Sequence, residues 1–460
     1  MNSAEYDIII IGAGPAGLSA ATLAAKYKAN VLILDENHAP GGQIYRGIEA
    51  NQSKALNLGE SYQQGLTLVK SFRDSNVDYR HSAKVWYLSS DAEVRYSIEG
   101  ESYAAKGRQI LIATGAQERP FPLHGWTLNG VMSAGSAQTL LKESSVVCEG
   151  AVFVGSGPLM YLIAHQYISA DIPIKAIIDT TPRVNYLHAM IHGFRALKGI
   201  KNIIQGWRWK REIIRSNVLY VSNICDVRIN GFDSVKSVDY LKNGTWKSLK
   251  CEHVFLHQGV IPDVNISLSV GCEKKWDEQQ ACWTINVDEY GQSSVDGISV
   301  AGDAGTVTGG VAAAYKGSIA MLNMLCQIDF ISSTDRDRLS KPLKKALKAE
   351  TSPRAFINAL FMPHQRYRIP ENDNTIICRC EEVTVAHIKE SIRLGCIGAN
   401  QIKSFTRCGM GPCQGRFCGL SVTEIMAKEL GVETNKVDYF NIRSPIKPVT
   451  LGELASVDEV

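Results

Sequence analysis

An apolar strand that runs into a glycine turn and an alanine-rich helix is the feature that most restricts what this chain can fold into. The first such run reads Asp7-Ile-Ile-Ile-Ile-Gly12-Ala-Gly14-Pro15-Ala16-Gly17-Leu18. Gly12 permits the tight turn, Gly14 lets a pyrophosphate approach the backbone, and Gly17 allows the helix to pack closely on the strand. Phosphates then lie at a helix N-terminus, where unpaired N–H groups and the dipole favour anions. A second strand, Val31-Leu-Ile-Leu, ends in Asp35 about twenty residues on, as a ribose hydroxyl partner requires, and Glu36 follows it. The pattern demands a parallel α/β sheet with a dinucleotide site at the N-terminus of the helix that follows the first strand.

The plan is repeated downstream. Ala151-Val-Phe-Val-Gly155-Ser-Gly157-Pro-Leu-Met160 is again strand, turn and helix, and the strand from Ile174 ends in Asp179. Here the third glycine position is Met160, which should loosen the helix packing or displace a nucleotide. Arg183 follows Asp179 too closely to claim a 2′-phosphate site. Three shorter signals surround these runs: Pro40-Gly41-Gly42-Gln43, then Gln109-Ile-Leu-Ile-Ala-Thr114-Gly115, then Val300-Ala301-Gly302-Asp303 before a Gly- and Ala-rich helix start. The last delivers an acid to a helix N-terminus, suited to a ribityl hydroxyl with the dipole facing a flavin. In this order the motifs resemble the two-dinucleotide-binding flavoproteins of the glutathione-reductase and thioredoxin-reductase type, over roughly residues 5–325. That resemblance implies FAD, lined by Gly12, Gly14, Gly17, Asp35, Gly42, Thr114 and Asp303, with Pro15, Ala16, Glu36, Gln43, Gly115 and Gly302 in the same segments. It also implies an inserted copy that binds NAD(P)H, through Gly155, Gly157 and Asp179. The redox-active Cys-x-x-Cys of the disulfide reductases of this fold occurs nowhere in the chain, which excludes their thiol–disulfide exchange.

Cysteines cluster at the other end. Cys378-Arg379-Cys380 is followed by Cys408-Gly-Met-Gly-Pro-Cys413-Gln-Gly-Arg-Phe-Cys418. A short, glycine-punctuated segment of this kind builds a thiolate cage, and four thiolates suit a [2Fe–2S] centre; tetrahedral zinc is the competing occupant. Between the clusters, Thr384 can cap a helix bearing Val385, Ile388 and Ile392 on one stripe, ended by Gly395. A second short helix over Asn400–Phe405 and a third beginning near Cys418 complete a small helical unit. Residues five apart on a helix point about 140° away from each other, so Cys408, Cys413 and Cys418 cannot ligate from one regular helix. The unit resembles the bacterioferritin-associated ferredoxin-like [2Fe–2S] domain, although the usual later Cys-x-x-Cys is absent. By that resemblance Cys378, Cys380, Cys413 and Cys418 hold the cluster, with thirty-two residues between Cys380 and Cys413 and Cys408 as the rival ligand. Cys148, Cys225, Cys251, Cys272, Cys282 and Cys326 are scattered and read as ordinary thiols.

With 49 basic and 46 acidic residues the chain offers no nucleic-acid-binding charge excess. The N-terminus lacks the basic and apolar regions of a signal peptide, and the apolar run Ile8–Ile11 is far too short for a bilayer; the expected location is cytoplasmic, with any membrane association through partners. The expected architecture is α/β: two Rossmann-like three-layer dinucleotide-binding domains plus a small helical [2Fe–2S] domain. Its segments are 1–118 with 288–327 for FAD, 119–287 for the inserted nucleotide fold, 328–373 as a linker with a charged surface helix, 374–430 for the cysteine domain and 431–460 as a tail.

This whole order is similar to the alpha subunits of bacterial opine oxidases, hydroxyproline and proline dehydrogenases, the FAD subunit of hydrogen cyanide synthase and part of heterotetrameric sarcosine oxidase alpha. The resemblance implies a flavin-dependent oxidoreductase subunit acting on CH–NH donors, which relays electrons from a beta-type flavoprotein subunit. It leaves room for a second nucleotide (NAD(P) or ATP), an interface FMN and a small ferredoxin-like subunit. No catalytic residue is assigned, and His257, in Leu256-His-Gln-Gly259, is expected to be structural or close to the flavin. A self-contained NAD(P)H-dependent reductase and an assembly subunit with structural zinc are the alternatives; Met160 speaks against the first and the intact flavin motifs against the second.

Overall fold

The structure is a computed structural model and describes residues 4–53, 58–196 and 200–456. Residues 1–3, 54–57, 197–199 and 457–460, which fall in the expected FAD-binding, inserted and tail segments, lie outside the described residues.

The isoleucine run forms the centre of the first sheet. Strand Ala4–Ile11 pairs in parallel with Val31–Leu34 on one side and with the long strand Glu101–Ile112 on the other. Ile8, Ile9 and Ile10 are fully buried, as a parallel strand covered on both faces requires. The long strand divides its work: its first half carries the antiparallel strand Glu93–Ile98, and its last three residues pair with Ile298–Val300. That return strand brings residues from beyond 287 back beside the N-terminal glycine turn. Helices Pro15–Lys26 and Gly310–Gln327 then cross closely, because a Cβ on Gly317 would stand 2.1 Å from the Ala16 carbonyl oxygen.

The second sheet is parallel throughout, in the order Leu219–Val221, Ile174–Asp179, Ala151–Gly155, Val254–His257, Val131–Ser133. A three-stranded antiparallel meander over residues 226–250 covers it. Met160 is wholly buried in the core of this half, so the residue at the third glycine position serves packing.

Helix Ser333–Thr351 follows, capped by Ser332 on the Asp335 amide and half exposed, then the short helix Arg354–Leu360. The cysteine segment folds as a small hairpin, Ile376–Cys378 with Val383–Thr384, and helices Val385–Arg393, Ala399–Thr406 and Gly419–Leu430. Thr384 caps the first of these in a reciprocal box with His387, and Val385 and Ile388 are fully buried with Ile392 packed beside them. Its core runs without a break into the first nucleotide half: Val422, Met426 and Tyr439 belong to one apolar cluster with Ile9, Leu34 and Ile112. Among the described residues no helix is long and apolar enough to cross a membrane.

Candidate cofactor sites

Gly12 stands at φ 110°, and a Cβ there would meet the Ala113 carbonyl oxygen at 2.5 Å. Gly17 lies still closer to its neighbours, with a virtual Cβ 1.9 Å from the Gly12 carbonyl oxygen. Gly14 differs: its nearest neighbour would be the Gly42 Cα at 3.8 Å, so the space above it is open. Pro15 starts the helix, no side chain caps it and no acid occupies its first turn. The N-terminal amides therefore face a cavity of about 500 Å³ lined by Gly12, Gly14, Asp35, Gly42, Thr114 and Asp303, with Pro15, Ala16, Glu36, Gln43 and Gly115 also on its wall. A cradle of this size and donor chemistry fits a dinucleotide. Asp35 shapes its rim, accepting from the Ala13 amide at 2.5 Å and from Asn37 at 2.7 Å. Gly302, at φ 71°, turns the chain so that Asp303 accepts from the amides of Thr308 and Gly309 at 2.6 and 3.1 Å.

Side chains from distant segments complete the wall. Lys142 is buried, donates to the carbonyls of Gln43 and Ile44 at 3.2 and 2.9 Å, and is pushed down to about 7 by burial and the nearby Arg46 charge. Arg354, from the segment expected to be linker, donates to the Val307 carbonyl and lines the cavity together with Phe361 and Met362. No motif marks these residues in the sequence; helix and loop packing alone brings them in.

The second copy is built differently. A Cβ on Gly155 would overlap the His257 carbonyl oxygen at 1.8 Å, and one on Gly157 would lie 2.9 Å from His257 Nε2. The imidazole thus packs against Gly157 where only the Gly42 Cα nears the equivalent Gly14, and both Gly157 and His257 line the same cavity as the first turn. Its Nδ1 lies 2.8 Å from Glu118 Oε2, and Glu118 Oε1 accepts from the Gly135 amide at 2.6 Å. Asp179 is buried with both oxygens engaged: Oδ1 takes the Thr181 amide at 2.9 Å, and Oδ2 takes the hydroxyls of Tyr161 and Tyr220, with Lys210 Nζ at 3.7 Å. Asn185 donates to the carbonyls of Leu360 and Met362 at 3.0 and 2.8 Å, drawing that segment over this half, where Phe361 packs against Tyr161.

In the cysteine domain the sulfurs of Cys378, Cys408 and Cys418 lie within 4.8 Å of one another, all buried. Cys380 and Cys413 form a second, more exposed pair joined by hydrogen bonding. Four of these five thiols were expected as ligands; Cys408, held as the rival, stands inside the buried trio. Hydrogen bonds from Cys408 and Cys418 hold Cys378 far below the usual thiol range, and the same contacts push its two neighbours up. Two thiol pairs plus a fifth sulfur suit a thiolate-bound metal centre. The loop bearing Cys413 and Cys418 is tied to the nucleotide halves, since Gln117 donates to the Arg416 carbonyl at 2.7 Å and Asn265 to the Gln414 carbonyl at 2.8 Å. Arg416 lines the cavity, a placement for which the sequence carries no signal beyond its position between two cysteines.

Residues 6–318 match the pyridine nucleotide-disulphide oxidoreductase family and residues 372–457 the sarcosine oxidase A3 domain. The chain belongs to the pyridine nucleotide-disulphide oxidoreductases, a class of flavin-dependent enzymes, and within them to the family of opine oxidase A-subunits. It is 40% identical to the opine oxidase A-subunit of Rhizobium meliloti, over 98% of this chain and 88% of that one. Hydrogen cyanide synthase subunit HcnB of Pseudomonas aeruginosa is 27% identical over 96% of both chains. The L-proline dehydrogenase of P. horikoshii shares the fold, with a TM-score of 0.72 at 21% identity over 98% of this chain and 80% of that one.

Proposed function

We propose that this chain holds FAD in its first nucleotide fold and a [2Fe–2S] centre in its cysteine domain. In this reading it is the cytoplasmic electron-transfer subunit of a heteromeric amino- or imino-acid dehydrogenase or oxidase, of the opine, hydroxyproline, proline or glycine type. One observation carries it: Arg416, between Cys413 and Cys418, lines the cavity that Gly14, Thr114 and Asp303 also line. A single loop thus connects the two sites, as relay between them requires. When bound, the two groups supply a two-electron acceptor and a one-electron relay. The chain's own residues seat the pyrophosphate on the amides after Gly14, hold the loop 303–309 through Asp303, and exclude water with Arg354 and Phe361.

For the cluster, Cys378 with Cys418 and Cys380 with Cys413 are the proposed pairs. Cys418 stands at the N-cap of helix Gly419–Leu430, where the dipole favours a thiolate. The relatives are named as subunits, which supports a beta-type flavoprotein partner carrying the substrate site.

The alternative, a self-contained NAD(P)H-dependent reductase, needs a ribose partner and room for a pyrophosphate in the second copy. Asp179 is buried beneath the Tyr161 and Tyr220 hydroxyls and, unlike Asp35, does not line the cavity, and His257 packs against Gly157. The test is the visible spectrum of the anaerobically purified chain, with metal analysis. Expected are FAD and iron, no bleaching by NADH, and bleaching by an opine only when the partner subunit is added. Zinc without iron would refute the cluster, and rapid reduction by NADH the subunit reading.

A further inference from the structure

The C-terminal tail reaches the opposite end of the chain. Ile446 is buried and its amide donates to the Trp86 carbonyl at 2.9 Å. Lys447 forms an ion pair with Glu36, its own side chain being 21% exposed. Both residues line the dinucleotide cavity beside Asp35, Ala83 and Val85. The tail is fixed beyond this point as well: Thr450 and Glu453 cap helix Leu451–Ala455, and Ser456 Oγ accepts from the Ser102 amide at 3.2 Å. Burial pulls the Lys447 ammonium below its ordinary pKa, with the Asp35 charge opposing.

Asp35 and Glu36 end the second strand, and in this arrangement that strand end faces the adenosine half of a dinucleotide. We propose that Ile446 and Lys447 form the outer wall of the adenosine end of the FAD site, so that cofactor retention depends on a seated C-terminal tail. The lysine stem covers apolar surface while its ammonium, a three-donor group, neutralises the acid pair and offers donors toward the ligand. Lys447 is a binding and positioning residue here; it takes no part in the redox chemistry. The proposal rests on the reading that FAD occupies the first fold.

The full-length protein, Lys447→Met and Lys447→Arg are compared after removal of flavin, by titration calorimetry with FAD, ADP and FMN. Lys447→Met should weaken FAD and ADP in parallel, by tenfold or more, while Lys447→Arg restores most of the affinity. FMN, which lacks the adenosine half, should respond equally in all three, and the melting temperature of the flavin-free proteins should be unchanged. Equal FAD and ADP affinities in wild type and Lys447→Met would overturn the proposal while leaving the FAD reading intact. A wild-type chain that binds neither FAD nor ADP would overturn both.

Discussion

Gly14 and Gly157 hold equivalent places in two copies of one motif, yet their surroundings are opposite. Gly14 has φ −79°, open to any residue, and its Cβ would meet only the Gly42 Cα at 3.8 Å, so Gly14→Val keeps an unstrained backbone and fills the room a pyrophosphate needs. The expected result is loss of bound flavin with the melting temperature of the flavin-free protein preserved, checked by absorbance and thermal denaturation. Gly157→Val, at φ 134° and against His257, should instead cost stability, about 1–3 kcal/mol from backbone strain alone. Lys142 permits a pH test at the same scale. Its folded pKa of about 7 lies below the ordinary 10.5, so the cost of burying the ammonium is full below pH 7 and is relieved as pH rises toward the unfolded value. In flavin-free protein this group alone adds up to about 1.4 kcal/mol of stability per pH unit across that window. Lys142→Met should lack that slope, measured by urea denaturation at pH 7.5 and 9; parallel curves would refute it.

Among the elements, the cysteine turn shows most clearly how local geometry limits ligation. Helix Ala399–Thr406 is stopped by Arg407 in a left-handed conformation, Cys408 follows, and Cys418 opens the next helix. The three later cysteines therefore occupy a loop and two helix ends, which removes the 140° divergence a continuous helix would impose. Cys378→Ser and Cys418→Ser should abolish iron binding. Cys408→Ser should retain iron with an altered spectrum, since it loses a thiol beside the proposed cluster; loss of iron from Cys408→Ser with retention by Cys418→Ser would exchange their roles. The helix Arg354–Leu360 carries the other lesson at this scale. Its sequence reads as linker, yet Asn185 and Tyr161 seat the residues after it over the second nucleotide half.

Across the whole molecule, the cysteine domain and the first nucleotide half share one apolar core, so neither is expected to unfold alone. Phe440, 2% exposed, packs its ring where a Cβ on Gly409 or Gly415 would stand, at 2.7 Å in each case, and so holds the cysteine loop in shape. Phe440→Ala should cost about 3–5 kcal/mol and lower the flavin-release and far-ultraviolet transitions together; two separated transitions would show independent domains. By itself the sequence determined the apolar strands at the glycine motifs, the glycine turns and the capped helix after Thr384, because strand runs, tight turns and caps depend on residues near one another in the chain. It also grouped five cysteines into two tight clusters. What only the tertiary structure decided is which residues share a cavity: Arg354 and Lys447 line it from segments with no motif, Arg416 from within the cysteine loop, and Cys408 enters the buried trio. The difference between the two nucleotide folds was decided the same way, since the ring that packs against Gly157 belongs to His257, a hundred residues downstream. Such contacts arise from packing between distant segments, and local residue preference carries no record of them.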